Sequence, residues 1–303
     1  MSFKVTVLGS SSAIPTSSRF TSAQIVNISE RFFLIDCGEA TQIQLRKFKI
    51  KFSKINHILI SHLHPDHYLG IFGLMSSFAL MGRKNPLHIY CFKELKELID
   101  SQFKYYYGSL GYRVEYHFLN QDVSEEIYND NILTIKTIPL KHRIPTSGFL
   151  ITEKPKELNI KKDIISYYNL CIKDIIQIKR GFDFIKENGE IIKNSELTEP
   201  PISPKSFAYC SDTLYNESII EIIKNVDLLY HEATFLLSEK DRAIETYHST
   251  AFDAATIAKK ANAKKLLIGH FSARYRTSDE LLKEACAVFE NTIAAEDGLV
   301  IEI

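Results

Sequence analysis

Within six residues, His62-Leu63-His64-Pro65-Asp66-His67 delivers three imidazoles and a carboxylate. Packing is a poor explanation for that spacing. A buried imidazole or carboxylate needs a partner, and four of them so close together leave several unpaired unless a cation gathers them. The run follows Ile58-Leu59-Ile60, an apolar stretch that reads as a buried strand. Pro65 stops the strand from continuing, so the ligands can turn toward one point. The placement recurs: His142 follows the run from Ile132 to Leu140, Asp212 follows Phe207 to Cys210, His231 follows Leu228 to Tyr230, and His270 follows Leu266 to Ile268. Side chains of zinc-ligating type therefore stand at the C-terminal ends of several strands, where sheet-based sites form. Together they outnumber the usual four ligands of a single zinc, which implies two metals.

Glu232 and His248 add a second feature, in the segments His231-Glu232-Ala233-Thr234 and His248-Ser249-Thr250. A carboxylate that holds an imidazole fixes its tautomer and raises its basicity, and such a pair can protonate a leaving oxygen. Spacing alone equally allows His248 to be only the residue before a helix N-cap. His57, His88 and His117 show no comparable context, and no chemistry is assigned to them.

Apolar, β-branched runs alternate with amphipathic segments along the chain, the pattern of an α/β layered fold. The runs are Val5–Leu8, Phe32–Ile35, Ile58–Ile60, Leu87–Tyr90, Leu133–Ile138, Phe207–Cys210, Leu228–Tyr230 and Leu266–Ile268. Thr250 with Asp253 predicts an acidic capping box ahead of the stripe Ala254, Ala255, Ile257, Ala258 and Ala261. Thr277 with Glu280 predicts a second one before Leu281, Leu282, Ala285, Val288 and Phe289. Residues 152–204 interrupt this rhythm with a stretch rich in Lys, Ile, Asn and Glu, and read as an insertion or projecting arm. Its end carries Pro200, Pro201 and Pro204, which cannot donate backbone hydrogen bonds and so form an extended connector to the next strand.

A chain of 303 residues can bury a sizeable core, and 45% hydrophobic with 24% charged residues is ordinary for a soluble globular protein. No segment approaches the roughly 20 apolar residues of a membrane span. The amino terminus leads straight into a strand, with no secretory signal expected. Five scattered cysteines, Cys37, Cys91, Cys171, Cys210 and Cys286, have no close spacing and read as reduced thiols, with the cytoplasm as the expected compartment. The 37 basic and 37 acidic side chains cancel, so any contact with a polyanion must rely on a local field.

The run Ser61-His62-Leu63-His64-Pro65-Asp66-His67 resembles the metal motif of the metallo-β-lactamase superfamily. Further segments resemble ribonuclease Z: Leu8-Gly9-Ser10 with Ala13-Ile14-Pro15, Asp36-Cys37-Gly38-Glu39-Ala40-Thr41-Gln42, Gly70-Ile71-Phe72-Gly73-Leu74, Leu140-Lys141-His142-Arg143 and Ser211-Asp212-Thr213. His231-Glu232-Ala233-Thr234-Phe235, His248-Ser249-Thr250, Gly269-His270-Phe271-Ser272-Ala273-Arg274-Tyr275 and the closing residues 291–298 complete the set, in the family's order. The resemblance implies an α/β fold: a single αββα sandwich domain over residues 1–303, with two mixed β-sheets flanked by helices. Residues 152–204 would be an inserted arm that grips tRNA.

It further implies two zinc ions per subunit. His62, His64 and His142 would hold one, Asp66, His67 and His270 the other, and Asp212 would bridge them. Asp66 would also accept a proton from the attacking water, and His248, oriented by Glu232, would protonate the departing 3′ oxygen. The implied activity is removal of the 3′ trailer from precursor tRNA, leaving a 3′-hydroxyl on the tRNA and a 5′-phosphate on the trailer. The family also implies a homodimer in the cytoplasm, with no membrane partner.

Two positions depart from the family. Pro65 stands where glycine is usual, and Asn169-Leu170-Cys171-Ile172-Lys173 replaces the glycine-proline turn of the arm. These departures bear on how the arm would grip tRNA more than on the cleavage chemistry. From Thr152 to Arg180, seven basic residues face four acidic ones, as a phosphate-contacting surface requires and as a solvated helix face also shows. A two-metal phosphodiesterase for small or cyclic nucleotides would need the same metals without an arm. A non-catalytic RNA-binding scaffold would not need the complete ligand set present here.

Overall fold

The computed structural model describes residues 3–105, 110–201 and 203–303, and in it every apolar run named above contributes to a strand. The first sheet begins with β1 (Phe3–Gly9), β2 (Ala23–Ile28), β3 (Arg31–Ile35), β4 (Ile55–Leu59), β5 (Leu87–Cys91) and β6 (Val114–Phe118). The second begins with β7 (Glu126–Asn129), β8 (Leu133–Pro139) and β9 (Ser147–Glu153). Four two-residue strands follow: β10 (Asn159–Ile160), β11 (Phe184–Ile185), β12 (Ile191–Ile192) and β13 (Thr198–Glu199). The remaining strands are β14 (Ser206–Cys210), β15 (Leu228–Glu232), β16 (Leu266–Gly269), β17 (Thr292–Ala294) and β18 (Val300–Glu302).

One sheet runs β18-β1-β2-β3-β4-β5-β6 and the other β17-β16-β15-β14-β9-β8-β7. Both are mixed. From β3 to β6 the neighbours are parallel, and so are those from β14 to β17. Parallel neighbours need crossover connections, and helices such as Gly70–Leu80 and Lys93–Phe103 provide them. This topology aligns the C-terminal ends of β4, β14, β15 and β16, which is where the ligand-type residues lie.

Side-chain alternation separates the layers. Leu34, Ile58 and Ile89 pack with Leu45, Ile71, Leu74 and Leu95 of the helices outside the first sheet. Phe33, Leu59 and Tyr90 join Ile135, Phe149, Phe207 and Tyr209 of the second sheet in another core, which also takes in Ala254, Ala258 and Leu281 from the far helices. The result is the expected αββα order. No helix among the described residues is long and apolar enough to cross a membrane.

Thr250 caps helix Ala251–Lys260 as expected: Asp253 donates its backbone N–H to Thr250 Oγ1 at 3.1 Å, and its carboxylate accepts from Thr250 N–H at 3.1 Å. The second expected box does not form. Helix Asp279–Val288 starts one residue later, after Ser278. That moves Glu280 out of the third helical position, and Thr277 Oγ1 donates to the Asp279 carboxylate at 3.0 Å instead.

Residues 153–204 form a separate compact unit with a small core of Leu170, Ile178, Ile192 and Leu197. Its helices Lys162–Tyr167 and Ile172–Lys179 are joined by a turn in which Asn169 takes φ 50°, a left-handed conformation that asparagine tolerates. Asp174 then accepts the Cys171 backbone N–H at 3.1 Å and caps the second helix. The turn thus needs neither glycine nor proline. Over the whole unit nine basic residues meet nine acidic ones. In the later half they pair locally, Lys186 with Glu190 and Lys193 with Asp183, both at 3.0 Å. After β13 the connector carries no regular structure up to β14 among its described residues; Ile202 lies outside them.

Candidate metal centre

Beyond β4 the chain takes two residues, Ile60 and Ser61, to leave the strand before the histidine run begins. Pro65 occupies the first turn of the short helix Pro65–Tyr68, where its missing N–H is not needed. Asp66 and His67 are thereby turned back over the strand tips. Two glycines let this turn sit against the end of β3: a Cβ on Gly38 would lie 2.4 Å from the Asp66 carbonyl oxygen, and one on Gly70 would lie 2.0 Å from that of Gly38.

His62, His64, His142 and Asp212 form one group of converging donor atoms, and Asp66, His67 and His270 another. In the first, His64 Nδ1 lies 3.0 Å from His62 Nε2 and 3.1 Å from His142 Nε2. In the second, His67 Nε2 and His270 Nε2 are 3.2 Å apart, and Asp66 Oδ2 is 3.4 and 3.3 Å from them. Asp212 divides itself between the groups. Its Oδ2 is 3.5 Å from His62 Nε2 and 3.8 Å from His142 Nε2, while its Oδ1 is 3.3 Å from both His67 Nε2 and His270 Nε2.

Hydrogen bonds at the far side of each ring decide what these converging atoms carry. His67 donates through Nδ1 to Asp36 Oδ2 at 2.8 Å, and His142 through Nδ1 to the Tyr247 carbonyl at 2.7 Å. Thr234 gives its hydroxyl proton to Glu232 Oε2 at 2.6 Å, so it accepts from His270 Nδ1 at 3.0 Å. With Nδ1 as the outward donor, each Nε2 turns inward toward the other ring and toward two carboxylates, and any ring without a second proton offers a bare lone pair there. Such an all-acceptor cavity is repulsive, and a buried unpaired carboxylate is penalised by several kcal/mol. A divalent cation relieves both effects, and the imidazole and carboxylate set suits one. The residues fit metal ions.

Electrostatics agrees. Burial, followed by neighbouring His67, lowers His62 to about 4, and burial lowers His64 to about 4, so both rings are neutral ligands. Burial also opposes charge on His67, but Asp212, Asp66 and Asp36 overcome it and raise its pKa well above the usual range. Asp212 and Asp66 are held far below the ordinary carboxylate range by their histidine neighbours, despite burial. The pocket demands positive charge.

His248 sits at the edge of this cluster, its ring 5.2 Å from that of His142 and 5.5 Å from that of His270. Its Nδ1 donates to Glu232 Oε1 at 2.8 Å. Glu232 is fully buried and also accepts from Thr213 N–H at 3.0 Å and Thr234 N–H at 3.1 Å. Burial works against charging His248, but Glu232 and then Asp212 raise it to about 9. Strand alternation explains why Glu232 reaches the cluster and its neighbour His231 does not. His231 stays buried outside the ligand groups, with Nδ1 on the Glu232 carbonyl at 2.7 Å and no partner for Nε2.

Relatives of known name extend along the whole chain. Ribonuclease Z of Phocaeicola vulgatus is 48% identical over 301 residues, covering 99% of this chain and 97% of its own. Ribonuclease Z of Bacteroides fragilis is 46% identical, covering 99% of each. The chain belongs to the ribonuclease Z family. The crystal structure of the short form of human tRNase Z superposes with a TM-score of 0.72 at 26% identity, covering 98% of each chain. The family model described as Anti-Pycsar protein Apyc1 also matches, over residues 3–173, so the chain falls within that family as well.

In this ribonuclease Z family member, two supporting residues emerge from the fold, Asp36 and Thr234. Asp36 carries four hydrogen bonds: from Ser61 N–H at 2.7 Å, Ser61 Oγ at 2.9 Å, His67 Nδ1 at 2.8 Å and Tyr209 Oη at 2.6 Å. Its position directly after β3, beside the strand that ends in the histidine run, is the signal that could have found it. Thr234 links Glu232, His248 and His270 through one hydroxyl. Its place in the family-like segment 231–235 is the signal that could have found it.

Proposed function

We propose that this chain is a zinc-dependent endoribonuclease that removes the 3′ trailer of precursor tRNA, leaving a 3′-hydroxyl on the tRNA and a 5′-phosphate on the trailer. The observation that carries this reading is Asp212, which sends one oxygen to each of two ligand groups beside buried Glu232 and its partner, the partly exposed His248. His62, His64, His142 and Asp212 Oδ2 would hold one zinc, and Asp66, His67, His270 and Asp212 Oδ1 the second. When bound, two such cations stabilise charge on phosphoryl oxygens and bring the pKa of water from about 15.7 toward about 7.

The chain's own groups manage the protons. Asp66 accepts a proton from the attacking water; its Oδ2 is already held in place by the Ala13 N–H at 2.7 Å. His248 stores a proton near neutral pH because Glu232 raises its affinity, and it delivers that proton to the departing 3′ oxygen from Nε2. Glu232 keeps the ring in the tautomer that leaves Nε2 facing the reaction. The arm, with basic residues concentrated before Gly181, contacts the tRNA backbone. The enzyme works as a homodimer in the cytoplasm, and its five unpaired cysteines suit a reducing compartment.

The relatives, named ribonuclease Z along 99% of this chain, do not favour the small-nucleotide phosphodiesterase reading. The test is incubation of the zinc-loaded chain with trailer-bearing precursor tRNA and mapping of both new ends. A cut at the 3′ end of the mature tRNA, with the end chemistry given above, is expected. Failure to cut any precursor tRNA would overturn the proposal.

A further inference from the structure

The register of the first sheet assembles a second group of donor atoms, from histidines that have no chemical context in the sequence. Parallel pairing sets His57 of β4 beside His88 of β5, His88 beside Glu115 of β6, and Tyr90 beside His117. Alternation places His88, Tyr90, Glu115 and His117 on one face. His88 Nδ1 lies 3.1 Å from His117 Nε2 and 3.4 Å from Glu115 Oε2. The three donor atoms converge within 4.8 Å of one another, and the group shares no residue with those containing His62, Asp66 or Asp212.

We propose that His88, Glu115 and His117 form an additional binding site for a first-row divalent metal such as zinc. Nitrogen, nitrogen and carboxylate oxygen are the donor set that borderline divalent ions prefer over magnesium or calcium. A hydrogen bond alone satisfies the group badly: one proton on His88 Nδ1 bridges either His117 or Glu115 well, whereas a cation engages all three. The rings are already aligned. His57 stacks on His88 at 4.9 Å with 16° between planes, and Tyr90 stacks on His117 at 4.4 Å with 13°. Arg113 ion-pairs with the other carboxylate oxygen of Glu115 and so fixes its orientation.

Access distinguishes this site from the buried centre. The side chains of His88 and Glu115 are 26% and 29% exposed, which leaves the fourth coordination position to water. Burial and the neighbouring His88 lower the proton affinity of His117, which keeps its lone pair available. The metal ties β6, the edge strand, to β5. An exposed strand edge is vulnerable to fraying and to pairing with other chains, and a crosslink there restrains it.

The site is tested by dialysing the full chain to equilibrium against buffered free zinc and counting bound metal. Wild type, Glu115→Gln and His117→Gln are compared. Each variant is expected to bind one zinc fewer per chain, or to need at least about tenfold more free zinc to bind it, with tight zinc and phosphodiester cleavage unchanged. His62→Ala should keep the weaker zinc. Glu115→Gln alters a single partly exposed atom, so it decides the matter even if His117→Gln fails to fold. Superimposable zinc curves for wild type and Glu115→Gln would overturn the site. So would loss of the weaker zinc from His62→Ala.

Discussion

The two histidine groups use the same donor chemistry in opposite surroundings. At the strand tips, the rings are locked from behind by Asp36, Thr234 and the Tyr247 carbonyl, and most ligands are buried. At the sheet edge, ring stacking and one ion pair do the orienting, and every donor is partly exposed. The contrast isolates what the groups behind the ligands contribute. Far-side hydrogen bonds choose the tautomer and leave lone pairs facing inward, and burial makes the absence of a cation costly. The edge group lacks both, so its metal binds more weakly and exchanges with solvent.

Substitutions test this contrast directly. The largest effect is expected from Asp66→Ala, which removes a ligand and the proton acceptor together: cleavage should vanish and metal content fall, read by precursor-tRNA assay and metal analysis. His248→Ala should slow cleavage by about 10²–10⁴-fold with zinc content close to wild type. If it sheds metal as Asp66→Ala does, His248 is not the proton donor. Asp36→Asn keeps the shape but weakens the hold on His67, and should lower affinity for the tightly bound metal by about 10–100-fold. Unchanged affinity would mean that the far-side contact does not support the centre. The smallest effect on catalysis belongs to Glu115→Gln, which should leave the cleavage rate at wild-type level; a slower rate would tie the edge group to the reaction.

Much of this was readable before folding, for local reasons. The histidine run spans six residues, so its convergence depends on a strand ending at Leu59 and a helical turn starting at Pro65. Asp212 and His270 follow apolar runs whose strands lie parallel on either side of β15, which brings their ends together, and His142 follows the run of β8. The capping box at Thr250 is equally local. Near Thr277 the helix starts one residue later than the local pattern predicts, and the predicted cap does not form. His231 and Glu232 are adjacent in sequence, yet which of them reaches the cluster depends on the side of β15 that each occupies.

The amino-acid sequence by itself determined the kinds of ligand, their positions after strands, the α/β class and the interrupting arm, because these follow from side-chain chemistry and short-range periodicity. Only the tertiary structure decided how Asp212 divides its oxygens, that Asp36 receives Tyr209 from 173 residues away, and that His67 meets His270 across 203 residues. It also decided the edge group, since His57, His88 and His117 become neighbours only through strand register. Pairing across a sheet is set by the packing of whole faces, and no single segment encodes which distant residue will stand opposite it.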